Sequence, residues 1–88
     1  MDSYKIKWDA KALKELDKLP EKRVIQILQK ITALSKNPYI GKALKGAFQN
    51  YYRLRVGDFR IIYSIKKKIL VVVILQIGNR TDIYKKLK

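Results

Sequence analysis

The stretch YYRLRVGDFRIIY, residues 51–63, places Arg53, Arg55 and Arg60 between apolar side chains on either side of a Gly57-Asp58 pair. A Gly-X pair between two alternating runs predicts a two-residue type II′ hairpin, because glycine accepts the positive φ of the first turn position. Folding about that turn opposes Val56 to Phe59, Arg55 to Arg60 and Leu54 to Ile61. Tyr52, Leu54, Val56, Phe59, Ile61 and Tyr63 then share a face turned toward the helices, and Tyr51, Arg53, Arg55, Arg60, Ile62 and Ser64 share the reverse face. Opposed side chains have Cβ atoms about 4.5–5.5 Å apart, where like charges repel. Guanidinium groups grip phosphate through paired N–H donors, which lysine does not reproduce, so phosphate is the ligand this face predicts. Asp58 is placed to neutralise one of the three, and Arg80, just past the last strand, is expected to reach the same concave side. The competing reading is a merely solvated face of a basic protein; against it, most of the excess charge is lysine, whereas this face is arginine.

The composition has the sign that phosphate requires. Lys and Arg number 21 against 7 Asp and Glu, a net charge of +14. Such a field attracts polyanions and releases their counterions, so nucleic acid, an anionic surface or an acidic protein are the natural partners. The chain has no histidine, which removes the usual general base and the commonest metal ligand, and no cysteine, which removes disulfides, thiolate nucleophiles and thiolate metal sites. Asp9, Glu15, Asp17 and Glu21 fall on the first helix and its flanks without the clustering a metal needs, so neither metal nor cofactor is expected. Gly41 and Gly46 have the spacing of a phosphate loop, but Ala47-Phe48 stand where Lys and Ser/Thr are required. The longest apolar run, Ile69 to Leu75, is far short of the roughly 20 residues of a membrane span. The N-terminus lacks the apolar stretch of a signal peptide, so a soluble, cytoplasmic protein without a membrane partner is expected.

Eighty-eight residues, 48% of them hydrophobic, predict one domain over residues 1–88, with every element sharing one interior. Tyr4, Ile6 and Trp8 alternate with lysines as in a half-buried strand. Asp9 caps a helix from about Ala10 to Lys18 carrying Ala12, Leu13, Leu16 and Leu19, and Pro20 ends it. A second helix follows with the stripe Val24, Ile27, Leu28, Ile31 and Leu34, ended by Asn37-Pro38. Residues 37–50 form the main loop. Strands then run from Tyr51 to Val56 and from Phe59 to Ile65, with Lys66 to Lys68 as a turn. Ile69 to Ile77 is apolar at nearly every position, as a mid-sheet strand covered on both faces would be. Gly78-Asn79 is expected to break that strand, and Thr81 or Asp82 to cap a short helix with Ile83, Tyr84 and Leu87. The fold class is α+β: an N-terminal strand, a helical hairpin, a three-strand antiparallel meander forming one twisted sheet, and a short C-terminal helix.

The order of elements, YYRLRVGDFRIIY and the later VVVILQIGNRTDIY together resemble the RelE/ParE superfamily of toxins from bacterial and archaeal toxin–antitoxin pairs. ALKELDKLP and NPYIGKALKG are similar as well, so the resemblance spans essentially the whole chain. RelE-type members cut messenger RNA in the ribosomal A site, whereas ParE-type members poison DNA gyrase. The resemblance assigns the family's catalytic pattern to Arg53 and Arg55 before the turn, Arg60 after it, Arg80 after the last strand, and Tyr84 in the final segment. The presence of all five favours the RelE branch. It implies a metal-independent endoribonuclease in which the ribose 2′-hydroxyl attacks the scissile phosphate. Implied partners are messenger RNA, the ribosome, and a RelB-like antitoxin in a hetero-oligomer. Tyr51 and Lys66, Lys67 and Lys68 are expected to contact RNA, the lysines being otherwise a solvated turn. The alternatives are a gyrase-directed toxin of the ParE kind and a plain RNA-binding module.

One departure matters. The best-known RelE pattern has lysine at the first two positions, one proposed as the base, and arginine is a poor base at neutral pH. General acid or base catalysis supplies about 10²–10⁴ in rate, and each placed donor to a developing anion about 10²–10³. Several arginines therefore outweigh one missing base. Arg55, Arg60 and Arg80 are expected to hold the phosphate and stabilise its transition state, and Tyr84 to stack on a base or donate a hydrogen bond.

Overall fold

Asp9 begins the helical hairpin as its residue type predicts. In the computed structural model, which describes residues 3–79, its carboxylate accepts the Lys11 amide at 3.1 Å. The elements are β1 (Lys5–Trp8), α1 (Ala10–Asp17), α2 (Glu21–Lys36), β2 (Lys42–Ala43), β3 (Tyr52–Val56), β4 (Phe59–Lys66) and β5 (Val71–Asn79). The sheet order is β1-β5-β4-β3-β2, with β1 parallel to β5 and the other pairs antiparallel. This is the expected α+β class with one strand more than the sequence predicts. Strand β2 is two exposed residues long, too short to carry any period, and it lies within the expected loop between 3₁₀ turns at Pro38–Ile40 and Gly46–Phe48. The expected final helix and its caps lie outside the described residues. Among those residues, no helix is long and apolar enough to cross a membrane.

Both helices cover one face of the sheet. Ala12 and Leu16 of α1 and Ile27, Ile31 and Leu34 of α2 pack with Val56, Ile61, Tyr63, Val72, Ile74 and Ile77. Each fully buried aliphatic side chain contributes about 1.5–3 kcal/mol. Leu13 and Leu28 depart from the predicted stripes, at 44% and 42% exposed. A helix on a sheet buries the line 27, 31, 34, and Leu28 sits about 100° around the axis from Ile27.

Strand β5 takes in Gly78 and Asn79, the last of the described residues, and its irregularity falls at Leu75. Tyr63 pairs with Ile74 and Ile62 with Gln76, so Leu75 is an extra residue. A strict alternation would send Val72, Ile74 and Gln76 into the core. The bulge resets the phase, putting Ile77 under the helices and Gln76, which is 1% exposed, on the reverse face. Because β1 ends at Trp8 opposite Ile74, the Ile77 amide has no partner strand there, and Glu15 on α1 accepts it at 3.1 Å. Glu15→Ala is expected to lower stability by about 1–3 kcal/mol. Glu15→Gln, which keeps an acceptor, should restore most of that, as read from urea midpoints.

Candidate functional site

The hairpin turns as its Gly-X pair requires. Gly57 has φ of 59°, while Asp58 keeps a negative φ, and the register pairs Val56 with Phe59, Arg55 with Arg60 and Leu54 with Ile61. In a two-residue hairpin the residues flanking the turn exchange backbone hydrogen bonds, so the next pair is a non-hydrogen-bonded one, with Cα atoms only about 4.5 Å apart. That next pair is Arg55 and Arg60. Two guanidinium side chains therefore start from the closest approach a sheet offers, at a point where the backbone does not directly tie the strands.

Arg53 lies two residues along the same face, paired with Ile62 on one side and with Lys42 on the other. Lys42 thus joins the cationic face, a placement no local pattern announces because β2 is only two residues long. Arg55 is exposed and Arg53 half-buried, but Arg60 is only 6% exposed, and Ile62 and Ser64 beside it are buried too. The reverse face is therefore less open than its alternation predicts. Every buried side-chain nitrogen and oxygen among the described residues has a hydrogen-bond partner, and none is present for Arg60. Its residual exposure must accordingly include the guanidinium, with the stem covered and the charged head at the rim.

Asp58 does not neutralise this face, contrary to expectation. Its carboxylate points to the helix side, 3.9 Å from the Arg23 guanidinium of α2. Among the described residues, no carboxylate forms an ion pair with Arg55 or Arg60. Arg80 and Tyr84 lie outside the described residues. Tyr51 is half-buried and immediately precedes β3. Lys66, Lys67 and Lys68 are exposed at the β4–β5 turn, at the far end of β4 from Arg60 and about 20 Å along the strand, so the fold separates them from the arginines.

The segment leading to β2 is pinned from beneath. Tyr63 is fully buried; its hydroxyl donates to the Pro38 carbonyl at 2.8 Å and accepts the Gly41 amide at 3.1 Å. Burial pushes its pKa up to about 12, the Gly41 bond pulling the other way. A Cβ on Gly41 would collide with that hydroxyl and stand 2.7 Å from the Arg53 carbonyl, so only glycine lets this segment lie against β3. The Tyr63 ring stacks on Tyr52 at 5.5 Å, and Tyr52 meets Tyr39 edge-on at 6.2 Å.

The comparisons with known proteins agree in kind. A family model described as the ParE toxin of type II toxin–antitoxin systems matches residues 6–84. The toxin RelG of Mycobacterium tuberculosis is 29% identical over 94% of this chain and 98% of its own. Among solved structures, the RelBE2 toxin–antitoxin complex of Mycobacterium tuberculosis superposes with a TM-score of 0.84 at 28% identity, over 93% of this chain and 97% of that one. The archaeal RelE–RelB complex of Pyrococcus horikoshii gives 0.79 at 29% identity, over 90% and 97%.

Proposed function

This chain belongs to the ParE toxin family of type II toxin–antitoxin systems, within the RelE/ParE superfamily, and on that premise we propose that its arginine face cleaves messenger RNA on the translating ribosome. The observation that carries this reading is the Arg55–Arg60 pair, set at the closest cross-strand position with no carboxylate partner among the described residues. Two opposed guanidiniums with no carboxylate partner among the described residues are complementary to an anion, and most of all to one gaining charge in a transition state.

In the proposed reaction the ribose 2′-oxygen bonds to the neighbouring phosphorus and the 5′-oxygen departs, leaving a 2′,3′-cyclic phosphate and a 5′-hydroxyl. The 2′-hydroxyl gives up its proton and the leaving oxygen gains one. Arg55 and Arg60 hold the non-bridging oxygens, Arg53 and Lys42 draw in the backbone, and Arg80 and Tyr84 complete the set. Alignment comes from the ribosome, which fixes the messenger; positioning of that kind reaches effective molarities of about 10⁵ M or more. An antitoxin of the RelB kind, as in the complexes of the relatives, would hold the chain inactive in the cytoplasm by mass action.

The ParE description of the matching family supports a second reading, gyrase inhibition without cleavage. The two separate on one experiment. Purified chain is added to translating ribosomes and messenger 5′ ends are mapped, with gyrase supercoiling assayed in parallel. New ends within codons in the A site are expected, with supercoiling unaffected. An intact messenger with blocked supercoiling would replace this proposal by the second reading.

A further inference from the structure

Arg23 has no place in the predicted site, and the structure puts it at the tip of the hairpin that carries the site. We infer that Arg23 is a positioning residue, a clamp on the helix side of the β3–β4 turn that holds Arg55 and Arg60 in register against their mutual repulsion. The inference rests on the proposed cleavage for its kinetic consequences and on geometry alone for its structural ones.

Three contacts fix the Arg23 guanidinium. Its Nη1 donates to Gln26 Oε1 at 3.2 Å, one turn along α2, which orients the group from behind. Its Nη2 stands 3.9 Å from Asp58 Oδ2, and its Cζ lies 5.7 Å from the centre of the Phe59 ring. Asp58 is the second turn residue and Phe59 the first residue of β4, so one side chain grips both. The approach is close enough that a Cβ on Gly57 would be 3.0 Å from Nη1. Glycine at that position serves both the turn and the clamp.

Phe59 faces the helices and Arg60 the opposite side, so Arg23 cannot touch Arg55 or Arg60 and acts on them only through the turn. The load it opposes is local. Arg55 and Arg60 form the non-hydrogen-bonded pair next to the turn, and like charges directly opposed there push the strands apart. Each contact of the clamp is weak alone, as exposed ion pairs and cation–π contacts are, and the repulsion is weak in the same measure. A small displacement is enough to matter, since misplacing catalytic groups by about 1 Å can cost about 10²-fold in rate.

The test uses Arg23→Ala, and Arg23→Lys as a milder variant that keeps the charge near Asp58 but loses the planar fork. On translating ribosomes Arg23→Ala should lower kcat for messenger cleavage about 10-fold with KM within about 3-fold, and Arg23→Lys should fall between it and wild type. In an Arg55→Ala background the same Arg23→Ala change should lose nearly all its effect, because removing Arg55 removes the repulsion that the clamp opposes. Independently of activity, NMR order parameters of the Arg55 and Arg60 Nε–Hε groups should drop in Arg23→Ala, with β1 and β5 amide shifts unchanged. Fully multiplicative effects in the double variant, or unchanged order at both arginines, would overturn the inference. A wild-type chain that leaves messenger intact would instead refute the cleavage reading, and the order parameters would still decide the clamp.

Discussion

Arg60→Met is expected to slow messenger cleavage about 10²–10³-fold while shifting stability by no more than about 1 kcal/mol, in either direction. The two halves of that result have different causes. Arg60 has a covered stem and a charged head with no acid partner among the described residues, and it faces Arg55 across a non-hydrogen-bonded pair of the hairpin. Replacing a largely covered cation that has no acid partner among the described residues by an apolar side chain of similar volume removes desolvation cost and repulsion together, so the fold should not suffer. The transition state should, because a donor pre-oriented at the rim of a covered surface acts in a lower dielectric than one waving in water. Arg55, being exposed, is expected to act more through substrate binding, so Arg55→Ala should raise KM more than it lowers kcat. Single-turnover cleavage alongside a urea titration separates the effects. Cleavage by Arg60→Met within a few fold of wild type would end the catalytic assignment.

Tyr63 is expected to give the largest change in stability. Tyr63→Phe leaves the Pro38 carbonyl and the Gly41 amide without their partner, a loss of about 1–3 kcal/mol. Tyr63→Ala also opens a cavity beneath Tyr52 and should cost about 3–5 kcal/mol, a large share of the roughly 5–15 kcal/mol that holds a domain together. The same hydroxyl makes the fold sensitive to alkali. Its pKa rises from 10.0 to about 12 on folding, so the native state holds the neutral phenol. That contribution is fully present below pH 10 and is lost as pH rises from 10 toward 12. Tyr4, raised by desolvation and by the neighbouring Tyr39 hydroxyl, acts with the same sign, so the measurement is the difference between wild type and Tyr63→Phe across that range. If the difference between the two proteins stays constant through pH 12, the phenol is not the titrating group.

Legibility from sequence varied with the range of the interaction that decided each feature. The helix start at Asp9, the stop at Pro20, the type II′ turn and the Arg55–Arg60 opposition were all readable, because each depends on residues a few positions apart and on the steric rules of a single turn. The helix-facing set Leu54, Val56, Phe59, Ile61 and Tyr63 followed from the turn without further information. Leu28 was misread because its spacing fits a broad apolar stripe as well as a narrow one, and how much of a helix is covered depends on what lies against it.

What residues 51–63 determined alone was the register of the hairpin and therefore the crowding of like charge on one of its faces, since period and turn geometry leave no freedom there. Only the assembled structure decided where the opposite charges went. Asp58 sits one residue from Phe59 in the chain, yet its carboxylate meets Arg23, which arrives from α2 and is 35 positions away. Leu75 is extra and Gln76 changes sides because β4 and β5 must both keep aliphatic side chains under the helices. Lys42 joins the arginines through a strand too short to announce itself. Those outcomes depend on contacts between distant segments, whose distances exist only once the core has closed.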